Sequence, residues 1–135
     1  MDYLSAFAIF VGAGIGTLAR WGLGLALNPF FPTVPLGTLA ANVLGSLLMG
    51  AALGVFAQFE SLPPAFRLAV TTGFLGGLTT FSTFSAEAST LVLRTEYAWA
   101  GTLIGVHVLL SLAATLGGLG ATHWLLAATT SGASS

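Results

Sequence analysis

Apolar residues fall into four long runs along the chain, at 4–27, 36–59, 66–93 and 98–126. A helix needs about 20 apolar residues to cross a hydrocarbon layer about 30 Å thick, so the pattern predicts an all-α membrane protein of four transmembrane helices. The intervals between the runs carry residues that stop helices. NPFFPTVP at 28–35 holds Pro29, Pro32 and Pro35, ESLPP at 60–64 holds Pro63 and Pro64, and Arg94-Thr95-Glu96 is a short charged turn. None of these connections has room for an extramembrane domain. Residues 1–128 are therefore expected to form one transmembrane domain, with any function inside the helical bundle. The stretch TTSGASS at 129–135 is small and polar with nothing to bury, and is expected to be a disordered tail. At the other end, Met1-Asp2-Tyr3 lacks the basic region of a cleaved leader, so the first run reads as a retained helix.

Within the runs, polar residues recur at helical spacing. Thr38, Asn42 and Ser46 stand four apart in the second run, and His107, Ser111 and Thr115 repeat the device in the fourth. Each set makes a stripe along one helix face. In the first run Gly12, Gly16, Arg20 and Gly24 share a face, and Gly12–Gly16 and Gly50–Gly54 have the spacing of close helix packing. A Ser or Thr hydroxyl is easily satisfied by the carbonyl one turn back, but the Asn42 amide is not. It needs a partner helix or an aqueous or ionic path. Arg20 keeps its charge and requires carbonyl partners, a route to the interface or a water-filled vestibule that attracts anions. Glu87 is the carboxylate lying well inside a run, and reads as either a functional group or half of an interhelical pair. His107 and His123 have no further ligands nearby in sequence with which to build a metal site.

The third run departs from a clean helix. At about 1.5 Å per residue it is longer than a bilayer core about 30 Å thick, and its middle, GGLTTFSTFS at 76–85, is rich in glycine and hydroxyl residues with poor helix propensity. A break is expected there, near mid-membrane. Non-helical backbone survives in a membrane only when buried in protein or lining a cavity, and its freed carbonyls are natural cation ligands. Phe81 and Phe84 follow on one face, interleaved with Ser82, Thr83 and Ser85, so that ring edges and hydroxyls together offer an anion a path.

Composition agrees with a chain dissolved in lipid: 56% of residues are hydrophobic and 5% charged, with a mean hydropathy of +0.96. A net charge of −1 supplies no basic field for nucleic acid. The absence of cysteine removes disulfides and thiolate chemistry. The three basic residues also bear on orientation. Arg67 and Arg94 flank connections on opposite sides of the membrane and cancel, while Arg20 lies within a run. Such a chain has little orientation bias, consistent either with a small protein poor in charge or with insertion both ways and an antiparallel dimer.

The segment GFLGGLTTFSTFS at 73–85, with GAGIGTLARW at 12–21 and PLGTLAANVLGSLLMG at 35–50, resembles the signature of the Fluc (CrcB) fluoride channels, and the four-run layout extends the resemblance over essentially the whole chain. The resemblance implies an antiparallel dual-topology homodimer in the inner (plasma) membrane. It also implies two fluoride pores for passive export, no enzymatic activity, and a structural sodium ion at the dimer interface. On matching positions, Gly76 and Thr79 would give the sodium-binding carbonyls. Phe81 and Phe84 would be the pore aromatics, Asn42 the pore amide, Ser82, Ser85 and Thr115 the hydroxyl track, Ser111 the fourth-helix pore serine, and Arg20 the arginine near the entrance. Thr38 and Glu87 are expected along the same ion pathway. One departure stands out: four residues before Ser111 the family usually has tyrosine, and this chain has His107.

Two other readings stay open on sequence grounds. Small proton-coupled multidrug exporters share the four-helix dual-topology plan but carry a membrane-embedded carboxylate in the first helix, and residues 4–27 contain none. A non-conducting membrane scaffold would be held by small-residue packing alone.

Overall fold

A computed structural model describes residues 2–132, and among these the regular structure is all helical. Helix α1 is Tyr3–Leu27, followed by a single 3-10 turn at Asn28–Phe30. Helix α2 is Leu36–Gln58. Helix α3 begins as Pro64–Leu68, widens into π-helical turns at Ala69–Leu75 and closes with the α-helical turn Gly76–Leu78. Helix α4 is Phe81–Leu93 and helix α5 is Tyr97–Gly132. Among the described residues, three helices, Tyr3–Phe30, Leu36–Gln58 and Tyr97–Gly132, are long and apolar enough to cross a membrane.

The helix ends follow from local chemistry. Asp2 caps α1, its carboxylate accepting from the N–H groups of Leu4 and Ser5. Pro35 has no side chain with which to cap α2, and the cap comes instead from Asn28, whose Oδ1 accepts from the N–H of Gly37 at 2.7 Å and of Thr38 at 3.2 Å. Beyond the other end of α2, Arg67 donates to the carbonyls of Leu62 and Phe59, and its guanidinium lies 5.3 Å from the centre of the Phe56 ring. Helix α4 ends in a Schellman turn: the Thr95 N–H returns to Val92 O and that of Glu96 to Leu91 O. Thr95 occupies the left-handed position with φ 61°, where glycine is usual.

Packing is closest where glycine removes the side chain. A Cβ on Gly12 or Gly16 would collide with the backbone of Ala69 or Phe74, and one on Gly73 or Gly77 with Ile9 or Ala13, so α1 and α3 touch main chain to main chain. The same holds for α2 and α5, where Gly50 meets the Thr115 carbonyl and Gly118 that of Leu47. Two small clusters of buried apolar residues complete the interior. One, around Leu91, Ala100 and Leu103, joins α4 to α5, and the other gathers Ala41, Leu75 and Leu78.

Two boundaries differ from the sequence reading. The break is confined to Thr79 and Thr80, the residues with extended backbone (ψ 154° and 110°), while Gly76–Leu78 and Phe81–Leu93 are helical. Paired β-branched residues favour extended backbone, and contact of Gly77 with Ala13 on α1 keeps this glycine-rich turn helical before it. The last helix runs on to Gly132, through residues expected to belong to a disordered tail, because Thr129, Thr130 and Ser131 return their hydroxyls to carbonyls of the preceding turn. The remainder of that expected tail, residues 133–135, lies outside the described residues.

Candidate functional site

The break is held open by a side chain that imitates a peptide group. Asn42, on α2, accepts the Thr80 N–H at 2.7 Å through Oδ1 and donates to the Thr80 carbonyl at 3.2 Å through Nδ2. Both backbone groups of a buried residue are thereby satisfied where no helical partner exists. Thr80 in turn starts α4, its Oγ1 accepting from the Thr83 N–H at 3.2 Å and donating to Thr83 Oγ1 at 3.0 Å.

Beside this clamp lies a cleft of about 420 Å³ between α2, α5 and the start of α4. The two polar stripes meet in it: Asn42 and Ser46 from α2, and His107, Ser111 and Thr115 from α5. Phe81 and Phe84 form its aromatic side, with ring centroids 5.5 Å apart, and Phe84 packs on the His107 ring at 4.8 Å. His107 is only 4% exposed, whereas Phe81 is 79% exposed and faces outward from the subunit.

The other expected residues lie elsewhere. Ser82 and Ser85 are exposed and do not line this cleft, since successive helical positions turn by about 100° and carry them off the face that bears Phe84. Ser82 Oγ lies 3.4 Å from Thr80 Oγ1. Arg20 donates from Nε to the Gly77 carbonyl at 3.0 Å, and lines a second cleft with Thr38, Thr80 and Thr83. Thr38 donates to Glu87 Oε1 at 2.6 Å, while Glu87 Oε2 is shielded and unpartnered. Glu87 therefore meets a hydroxyl rather than a cation, and borders a third cleft with Arg94 and Glu96. The residue that sequence reasoning overlooked is Thr80. Its signal was the Thr80–Thr83 spacing, a hydroxyl just ahead of a helix with a polar partner three positions on.

Comparison with known proteins decides the family. The family model described as "CrcB-like protein, Camphor Resistance (CrcB)" matches residues 7–119. The chain belongs to the CrcB family. A relative from Burkholderia lata named "Fluoride-specific ion channel FluC" is 54% identical over 127 residues, covering 93% of this chain and 99% of the relative. Relatives of the same name from Nitrosospira multiformis and Tolumonas auensis are 54% and 56% identical, covering 93% and 85% of this chain and 98% and 91% of their own lengths.

Sodium, implied by the resemblance to CrcB channels, takes oxygen donors, and the break in this CrcB chain frees two carbonyls of the expected pair. Gly76 O would normally accept the Thr80 N–H, which Asn42 has taken, and Thr79 O that of Thr83, which Thr80 Oγ1 has taken. The intervening Gly77 carbonyl is engaged by Arg20. The donor set at Gly76 and Thr79 fits a hard monovalent cation.

Proposed function

We propose that this chain is a fluoride-selective channel that lets cytoplasmic fluoride leave passively across the inner membrane. The observation that carries the reading is the cleft where Asn42, Phe84, His107, Ser111 and Thr115 converge, in a chain so similar to proteins named as fluoride channels. Fluoride is small and strongly hydrated, so a path through a low-dielectric region must replace water with donors at short range. The Ser111 hydroxyl supplies such a donor, and that of Thr115 can on turning away from the Ser111 carbonyl, which it meets at 3.0 Å, while the positive edges of Phe81 and Phe84 tolerate a bare anion on the apolar side. A narrow aromatic wall disfavours the larger chloride.

The broken segment formed by α3 and α4 makes the fourth crossing, alongside the three long helices. The working unit is an antiparallel dual-topology homodimer with two pores. A sodium ion held at the dimer interface by the Gly76 and Thr79 carbonyls of both subunits would supply fixed positive charge that lowers the cost of an anion at mid-bilayer. Arg20, beside the second cleft, favours anions at the entrance.

A fluoride-selective electrode tests this directly. Vesicles loaded with fluoride and reconstituted with the protein are expected to release it, and to retain chloride in parallel. Phe81→Ile and Asn42→Asp are each expected to slow release at least about tenfold, the effect of losing about 1.4 kcal/mol at the barrier. No fluoride release from the unsubstituted protein, or undiminished release from both variants, refutes the assignment.

A further inference from the structure

The polar groups behind the cleft form a short hydrogen-bonded chain whose direction is fixed at one end by the backbone. A backbone N–H only donates and a backbone carbonyl accepts, so the paired bonds from Thr80 leave the Asn42 amide one orientation, with Oδ1 toward the N–H and Nδ2 toward the carbonyl. Turning the amide over would set hydrogen against hydrogen and oxygen against oxygen. The same Nδ2 lies 3.2 Å from Nδ1 of His107. An amide nitrogen donates and does not accept, so Nδ1 is the acceptor, and a neutral imidazole that accepts at Nδ1 carries its proton on Nε2. Nε2 is shielded from solvent and has no hydrogen-bond partner in the protein.

We propose that Asn42 is a positioning residue that fixes His107 as the Nε2–H tautomer, so that the wall of the cleft holds an N–H donor in reserve for a passing anion. The inference rests on the fluoride reading for its ligand, though not for the tautomer itself. The other tautomer would leave a lone pair at the shielded Nε2, which repels an anion. Ring contact with Phe84 at 4.8 Å places this donor beside the aromatic pair. The charged groups on the elements packed against α5 are few: α2 carries none from Leu36 to Gln58, and α4 carries Glu87, engaged by Thr38, with Arg94 just beyond its end. His107 Nε2 meets neither of them.

The test uses the full chain in lipid bilayers with histidine and asparagine labelled with 15N. The chain has two histidines, so His123→Gln isolates the His107 signals. The expected spectrum shows one neutral tautomer protonated at Nε2, with coupling across the hydrogen bond between the Asn42 side-chain nitrogen and His107 Nδ1. An Nδ1–H tautomer, a mixture of tautomers, or no such coupling overturns the proposal. In Asn42→Asp the carboxylate accepts instead of donating, and the His107 proton is expected on Nδ1. An unchanged tautomer in the folded variant overturns the positioning role, and should that variant fail to fold, the coupling in the unsubstituted protein still decides. For the donor role, His107→Phe keeps a ring and loses the N–H, and is expected to slow fluoride release at least about tenfold, whereas His107→Gln restores an amide donor and release to within about threefold. Equal release from the Phe variant removes the donor role. Absence of release from the unsubstituted protein removes the fluoride reading while leaving the tautomer intact.

Discussion

Replacing Asn42 with alanine probes the clamp on the broken segment without touching the break itself. The substitution deletes the acceptor 2.7 Å from the Thr80 N–H and the donor 3.2 Å from the Thr80 carbonyl, in a residue 9% exposed. Each buried backbone group left without a partner costs about 1–3 kcal/mol, which sets a ceiling of about 6 kcal/mol for the pair. Asn42 and Thr80 both line the cleft, so water can enter the vacated volume and satisfy part of the loss. The expected destabilisation is therefore about 2–4 kcal/mol. Asn42→Asp retains an acceptor for the N–H but sets a carboxylate oxygen against the Thr80 carbonyl, and is expected to cost at least as much as the alanine. The assay is reversible unfolding in mixed detergent micelles, with hydrogen exchange at the Thr80 amide as the local reporter. Protection at that amide should collapse in the alanine variant. A variant within about 0.5 kcal/mol of the parent, with Thr80 still protected, would show that the break is held by packing and that the clamp is incidental.

Two further outcomes follow from the helix ends. Thr95→Gly relieves a β-branched residue at φ 61° and gives up chain entropy in the unfolded state, for a net gain of about 0.5–1 kcal/mol in the same unfolding assay, and a loss of stability would refute the strain at that turn. Asp2 is held below the ordinary carboxylate range by its hydrogen bonds with Ser5 and Leu4. Its cap is therefore present above the unfolded value near about 3.9 and lost as pH falls through the lower folded value, so exchange protection at Leu4 and Ser5 should drop below about pH 4 and be insensitive there in Asp2→Ala.

The long helices were legible because their signal is local: apolar runs of sufficient length bounded by proline. The stripes were legible too, since residues four apart must share a face, and Asn42, Ser46, His107, Ser111 and Thr115 do line one cleft. The extent of the break was not. Ten residues of poor propensity suggested ten irregular residues, but Gly77 is held helical by contact with Ala13, far away in the chain. Thr80 stayed hidden for the same reason, because its importance depends on Asn42, 38 positions earlier. Ser82 and Ser85 were grouped with the phenylalanines by adjacency in sequence, but helical rotation takes both off the face of Phe84, and Ser85, one turn beyond the outward-facing Phe81, is exposed with it. His107 was seen as a departure from tyrosine, but the proton it carries is decided by a three-residue network that no spacing reveals.

The glycine contacts also determine where the molecule can bend. Helices α1 and α3 interlock main chain to main chain, as do α2 and α5, and each pair behaves as a stiff plate. Gly37 on α2 also meets the backbone of Leu23 and Gly24 on α1, which locks the two plates together at one end, and beside the cleft Asn42 reaches across to Thr80. With its α2 and α5 walls interlocked, the cleft changes width most easily on its third side, where the break and the start of α4 close it.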